Sequence, residues 1–302
     1  MKGPLPTTII AGVGRGGTTS MFQYLVAHPD VCGSTHKETR FFEPLQYGEP
    51  LPSLARYRAF FSGWKGESVV VEASPGYFAG GRVVAEQIDA VIPGVRVVVS
   101  LRDPVNRMLS FFQHARSRLQ LERAMTFEAY VEACLAGTSV RESRRREDQI
   151  YQGYYGGFYA QPLLEWHQLF GERLTVVFFE DLAADVRSFT TELARLVGVD
   201  PSFYDDAVLE RENPSRTFAL AGVHRAVLRA NEALQPMLRR RPRLKARLRT
   251  MYSRLNSPVR PAPAGETLLA ALAEHFEDSN RVVRDHLRSC GYGALPNWLE
   301  RT

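Results

Sequence analysis

An α/β fold, a doubly wound parallel sheet flanked by helices with a helical C-terminal part, is predicted by three features of the sequence. Apolar, β-rich runs alternate with stretches of helical periodicity through residues 1–200. The runs are continuously apolar rather than alternating, as in strands buried on both faces of a parallel sheet. The first run ends in a glycine-rich turn that opens a helix.

Thr8, Ile9, Ile10, Ala11, Gly12 and Val13 form the first strand and enter the turn. Over 18–27 the apolar residues Met21, Phe22, Leu25 and Val26 recur at helical spacing, and Pro29 stops them. Val69, Val70 and Val71 make the next strand, 82–92 a helix, and 95–101 a strand of branched apolar residues. Helices are expected over 105–119, 127–136 and 160–170, then a strand over 174–179 and a helix over 189–197. From about residue 201 the chain reads as helical and strand-poor, with a proline-rich loop over 256–265. The expected organisation is one domain over 1–302, with 1–200 the α/β core and 201–302 a helical extension packed on it.

Of the 302 residues, 44% are hydrophobic and 24% charged, which supplies a large core and excludes a disordered chain. No stretch approaches the roughly 20 apolar residues of a membrane helix, and residues 1–8 lack the layout of a secretory signal. A cytoplasmic protein without a transmembrane segment is expected. Cys32, Cys134 and Cys290 are scattered and odd in number, which points to reduced thiols rather than a disulfide framework. The excess of 38 Lys+Arg over 33 Asp+Glu, a net +5, favours anionic ligands without demanding nucleic acid. A basic run of Arg239, Arg240, Arg241, Arg243, Lys245, Arg247 and Arg249 reads first as a solvated helix face, and second as a docking surface for an acidic acceptor or a membrane. Arg141, Arg144, Arg145 and Arg146 read as a solvated segment or a greeting surface for an anionic acceptor. The oligomeric state leaves no signature.

Gly12, Gly14, Gly16 and Gly17 lie between the first strand and its helix, where bare amides and the helix dipole favour a phosphate. The outline is P-loop-like, nearly GxxxxGK[ST], but Thr18 stands where the lysine belongs and the cation is Arg15 inside the loop. Arg15, Thr18, Thr19 and Ser20 suit a donor that carries one phosphate and one sulfate. At the end of the 95–101 strand stand Arg102, Asp103 and Pro104, with Arg107 and Ser110 on the following helix. Arg102 and Ser110 make a second phosphate site at the carboxyl edge of the sheet; pairing of Arg102 with Asp103 or Glu72 is the structural alternative.

Four segments in order, Arg15-Gly16-Gly17-Thr18-Thr19, Lys37-Glu38-Thr39-Arg40-Phe41-Phe42, Glu72-Ala73-Ser74-Pro75-Gly76-Tyr77-Phe78, and Arg102-Asp103-Pro104 with Arg107 and Ser110, resemble the sulfotransferase family. The branch most resembled is that of the heparan sulfate N- and 3-O-sulfotransferase domains and their bacterial relatives. The resemblance implies 3′-phosphoadenosine 5′-phosphosulfate (PAPS) as donor. It places the 5′-phosphosulfate on Arg15, Gly16, Gly17, Thr18 and Thr19, with Ser20 beside them, and the 3′-phosphate on Arg102 and Ser110. Two positions depart from the family pattern: Arg15 replaces a lysine, and Ala73 replaces the lysine that usually follows the glutamate at Glu72. Lys37 or Arg260 is the expected substitute cation, Arg260 lying in a loop that faintly resembles a late cofactor loop of the family.

Sulfuryl transfer rests on in-line positioning and charge stabilisation, and the acceptor must lose a proton. The resemblance makes Glu38 the base, with His114 and His36 in reserve, His114 lying one helical turn beyond Ser110. Glu72, Tyr77 and Lys37 are expected to line the acceptor site, while Phe41 and Phe42 belong to the core. No metal-ligand spacing is present and no metal is expected. The expected acceptor is a carbohydrate, glycolipid or glycosylated metabolite. Two rivals stand against this reading: a P-loop nucleotide kinase or NTPase using the first glycine loop with Glu72 on magnesium, and a non-catalytic anion or nucleic-acid binder using the basic run.

Overall fold

A computed structural model describes residues 3–122, 124–136, 145–209, 217–218, 258–259 and 265–301. In chain order the elements are β1 (Thr8–Gly12), α1 (Thr18–Leu25), β2 (Val31–Gly33), α2 (Leu54–Ala59), β3 (Val69–Ala73), α3 (Gly81–Val91), β4 (Arg96–Leu101), α4 (Pro104–Ser117), α5 (Phe127–Ala136), α6 (Gln152–Tyr155), α7 (Ala160–Phe170), β5 (Leu174–Phe178), α8 (Phe179–Ala184), α9 (Val186–Val197), β6 (Thr217–Phe218), β7 (Pro258–Val259), α10 (Glu266–Ser289) and α11 (Asn297–Glu300).

Five strands form one parallel sheet in the order β2-β3-β1-β4-β5, and β6 pairs with β7 antiparallel. Ile9 lies opposite Glu72 on β3 and Val97 on β4, so β1 is central and its carboxyl end is flanked by the ends of β3 and β4. The central strands are buried on both faces, which is why their apolar runs do not alternate. β5, at the edge, does alternate: Leu174, Val176 and Phe178 are buried, Thr175 and Val177 only partly so.

One face packs Ile9, Ala11, Val97 and Val99 against Val84 and Ile88 of α3, Leu163, Trp166 and Phe170 of α7, and Val283 and Leu287 of α10. The opposite face packs Ile10, Val71 and Val98 against Met21, Phe22 and Leu25 of α1 and Phe189, Leu193 and Val197 of α9. Each of these large side chains contributes about 1.5–3 kcal/mol by leaving water. A third cluster joins α4, α5 and α10 through Met108, Phe112, Tyr130, Leu272 and Phe276.

Through residue 200 the expected elements are present with shifted ends; beyond it α10 is helical as expected, β6 and β7 were not expected, and 210–216, 219–257 and 260–264 lie outside the described residues. The first helix stops at Leu25 rather than at 27, and the helix expected from 189 begins at Val186, where the Asp185 side chain caps the Arg187 and Ser188 amides (3.0 and 3.1 Å). β2, α2, α6 and α8 were not expected: β2 is three residues long, and the helices have six residues or fewer, α2 being capped by Ser53. Among the described residues, no helix is long and apolar enough to cross a membrane.

Candidate active site

The sheet order gathers the segments that leave β1, β3 and β4. In the loop after β1 the Val13 amide donates to the Ser100 carbonyl (2.9 Å), the Gly16 amide to the Val13 carbonyl (2.9 Å), and the Ser100 hydroxyl to the Gly16 carbonyl (2.5 Å). Neither Gly16 nor Gly17 accepts a side chain. A Cβ on Gly16 would stand 2.6 Å from the Ser100 carbonyl oxygen, and Gly17 has φ +83° with Leu182 Cδ2 2.7 Å from the Cβ position. No side chain caps α1, so its first turn, with Thr18 buried and Thr19 and Ser20 half-buried, keeps its dipole for an anion.

Arg15, at φ +73°, ties this loop to the segment after β4. Its carbonyl accepts from Arg102 Nη1 (3.0 Å) and its Nε donates to Ser110 Oγ (3.0 Å). Arg102 therefore holds main chain rather than Asp103 or Glu72, and its guanidinium lies 4.2 Å from the Phe179 ring centroid. Arg107 is buried and donates to the carbonyls of Gly14 (3.3 Å), Gln152 (2.5 Å) and Gly153 (3.3 Å), so it acts as a strut beneath the loop. Pro104 opens α4 and Asp103 caps it through the Asn106 amide (2.8 Å).

Three cations, Arg15, Lys37 and Arg102, gather in this corner. Burial, followed by the neighbouring charge of Arg102, lowers the Arg15 pKa to about 10. Burial lowers Lys37 as well; Glu38 opposes that shift while Arg40 and Arg15 add to it. Arg102 is lowered by burial, against the pull of Glu180. Three desolvated cations sharing one field is a donor set matched to an anionic ligand.

The segment 37–42 is fastened to the same corner. Glu38 Oε2 accepts from Arg40 Nη2 (3.0 Å) and Nε (3.2 Å), and Lys37 Nζ stands 3.6 Å from Oε1. The Lys37 side chain is 10% exposed and that of Glu38 27%, so the carboxylate is half-buried yet reachable. Phe41 and Phe42 are buried as expected.

Glu72 and Tyr77, expected on the wall of an acceptor cleft, lie instead in the interior, both 0% exposed. The Glu72 carboxylate accepts from the hydroxyls of Tyr77 (2.6 Å), Ser74 (2.8 Å), Thr39 and Tyr57. Tyr77 accepts in turn from the Phe42 amide (3.3 Å), and Ser74 from the Arg40 amide (3.1 Å). Glu72 is thus the anchor of segment 37–42. Ala73 is fully buried and carries no charge, and Lys37 is the described cation nearest in role. Arg260 lies outside the described residues, as do Arg141, Arg144 and the run 239–249. Arg146 pairs with Glu49 (2.7 Å) and Arg145 with Glu147, so these two are engaged within the chain.

His114 is half-buried within the field of Arg15 and Glu38. Burial, then the charges of Arg15 and Arg118, lowers its pKa from 6.5 to about 4. It is a neutral imidazole at neutral pH. Since the unfolded chain takes up its proton at higher pH than the folded one, stability contributed by this site rises with pH between about 4 and 6.5. His114→Gln should make the stability profile shallower across that window in urea unfolding at stepped pH, and a profile identical to the parent's would remove the imidazole from this environment. His36 is exposed, with its Nδ1 3.2 Å from Thr35 Oγ1. Sequence reasoning missed Tyr57, which lies on the unexpected α2, and Arg40, which it quoted in the motif without a role.

The family described as "Sulfotransferase domain" matches residues 5–215. Human heparan sulfate glucosamine 3-O-sulfotransferase 6 is 29% identical over 215 residues, which is 67% of this chain and 56% of that protein. Human bifunctional heparan sulfate N-deacetylase/N-sulfotransferase 3 is 25% identical over 213 residues, 68% of this chain and 24% of that protein. The chain thus spans about half the length of the first relative and a quarter of the second. Among solved structures, a sulfotransferase from Alicyclobacillus acidocaldarius matches with a TM-score of 0.59 at 24% identity, covering 78% of this chain and 95% of that one, which shows a shared fold.

Proposed function

This chain belongs to the sulfotransferase domain family and is an enzyme of that class, and from that premise we propose its donor, its acceptor class and its base. The donor is PAPS, and the acceptor is a hydroxyl or amine of a carbohydrate, glycolipid or glycosylated metabolite. In this reading residues 1–302 act as a single unit, supported by the core clusters that α10 and α11 share with the α/β part. The observation that carries the reading is the convergence of Arg15, Arg102 and Ser110, flanked by the uncapped start of α1.

When bound, PAPS supplies the sulfuryl group and departs as adenosine 3′,5′-bisphosphate (PAP). The amides of Gly17 and Thr18, with the Arg15 guanidinium and the Thr19 and Ser20 hydroxyls, hold its 5′ end beside Gly16, whose own amide closes the loop on Val13. Arg102 and Ser110 hold the 3′-phosphate; Ser110 Oγ accepts from Arg15 and keeps its own proton to donate. Lys37, substituting for the cation absent at Ala73, steadies negative charge on the leaving oxygen. Glu38 takes the acceptor's proton, and His114, neutral because burial and Arg15 lower its pKa, orients the acceptor in this proposal.

Calorimetry with PAP tests this directly. Binding is expected for PAP and not for magnesium-complexed ATP; the reverse pattern would replace this reading by a nucleotide kinase, for which Thr18 at the lysine position of the loop already fits poorly. Arg102→Ala should cut the preference for 3′-phosphorylated over unphosphorylated adenosine nucleotides by about 10–100-fold, the worth of a charge-assisted pair. An unchanged preference ratio would move the 3′-phosphate elsewhere.

A further inference from the structure

Away from the glycine loop, one helical seam brings a side chain of α7 to two neighbouring side chains of α10. His167 lies in the last turn of α7, and His286 and Cys290 lie one turn apart at the end of α10, Cys290 being 123 positions after His167. Cys290 Sγ is 3.7 Å from His286 Nε2 and 3.7 Å from His167 Nε2, and the two imidazoles meet edge to face at 4.7 Å. The three ligand-type atoms all lie within 4.8 Å of one another. An ion held tetrahedrally at about 2.3 Å from sulfur and about 2.0–2.1 Å from nitrogen sets those S···N distances at about 3.5–3.6 Å. The side chains therefore stand near the separations a metal would impose. The sulfur is also 3.8 Å from His167 Nδ1, so a turn of that ring about its Cβ–Cγ bond selects the ligating nitrogen.

The scaffold on either side is fixed. The Gly171 amide closes α7 on the His167 carbonyl, and the Cys290 amide closes α10 on the His286 and Leu287 carbonyls (both 3.1 Å). Val283 and Leu287 of α10 share a core with Trp166 and Phe170 of α7, and beyond the helix end the Val176 amide donates to the Tyr292 hydroxyl (2.8 Å). Cys32 and Cys134 are buried in other parts of the core; Cys290 is only partly buried, so an ion has access to it.

We propose that His167, His286 and Cys290 bind one zinc ion, with solvent as the fourth ligand, which staples α10 to α7. One thiolate and two imidazoles form a borderline-soft tetrahedral set that favours zinc over magnesium or calcium. On binding, the Cys290 S–H bond breaks, its proton goes to solvent and a Zn–S bond forms, with no change of oxidation state. The sequence holds two of the ligands as a His-x-x-x-Cys pair on one helix face, His286 and Cys290, and folding supplies the third. The site acts on the fold rather than on sulfuryl transfer. Tyr159, just before α7, donates to the Arg102 carbonyl (2.8 Å), and His167 lies about two turns, about 12 Å, further along the helix.

The test uses the full chain, purified without a polyhistidine tag, stripped with a chelator and then titrated. Metal analysis after exposure to zinc should give about one ion per chain. Cobalt in its place should produce thiolate-to-cobalt charge-transfer absorption that Cys290→Ser abolishes. Zinc at about 100 times its Kd should raise the Tm by about 4 °C in the parent and not in Cys290→Ser or His167→Asn. Absence of both the absorption and the Tm shift in the parent overturns the proposal, as does their survival in Cys290→Ser. If either variant fails to fold by circular dichroism, the parent's stoichiometry and absorption decide alone. Calorimetry of the chelated parent with PAP separates this outcome from the donor assignment, because stripping zinc should leave PAP binding unchanged.

Discussion

Glu38→Gln should lower kcat by about 10²–10⁴-fold while PAP affinity stays within about twofold, the signature of a lost general base. The amide keeps the shape of the side chain and can accept from Arg40, but it cannot take a proton. The structural alternative is that Glu38 only neutralises Arg40, whose Nη2 lies 3.0 Å from Oε2 and whose side chain is 62% exposed. An exposed pair of that kind is worth about 0–1 kcal/mol, far short of such a rate loss. Arg40→Gln separates the two roles: it should preserve most of the turnover, since it removes the partner and leaves the carboxylate. Equal loss of turnover in both variants, or parallel loss of PAP affinity in Glu38→Gln, would take the role of base away from Glu38.

The α/β core was legible because its central strands are buried on both faces, and burial of that kind writes itself as uninterrupted branched apolar residues in β1, β3 and β4. β2 was not, since three residues carry too little pattern, and α2 hid in a segment whose only clear signal was Ser53 before Leu54. Within the candidate site, Arg15, Arg102 and Ser110 could be found by motif, but the contacts among them follow from β1 and β4 being sheet neighbours, which no local spacing encodes. Glu72 was misplaced for a physical reason. An acid in the run Val69-Val70-Val71-Glu72-Ala73 has apolar neighbours on both sides, and in a strand without exposed positions it too must be internal. The hydroxyl donors that make that burial tolerable come from Thr39, Tyr57, Ser74 and Tyr77, two of them outside the local segment.

Glu72→Ala should destabilise the fold by about 3–5 kcal/mol, because it opens a cavity and strips four hydroxyls, three of them on buried residues, of their acceptor at once. Glu72→Gln retains one acceptor oxygen and the side-chain volume, and should cost about 1–2 kcal/mol. The dependence of that smaller cost on pH is the sharper test. Burial raises the Glu72 pKa in the folded state, and the hydrogen bonds from Thr39, Tyr57, Tyr77 and Ser74 offset this only in part. A raised pKa means that the folded chain holds the proton more tightly than the unfolded one, so the contribution of Glu72 is full below the ordinary carboxylate value of 4.5 and declines as pH rises through the folded pKa. Glutamine is neutral throughout and shows no such decline. The penalty of Glu72→Gln, measured by urea unfolding at stepped pH, should therefore shrink as pH rises; a penalty that grows with pH would mean that the hydroxyl donors outweigh burial and that the anion is the favoured form. Either substitution loosens the grip on segment 37–42, so kcat should fall more than PAP affinity, and a change confined to PAP affinity would show that Glu72 does not position Glu38.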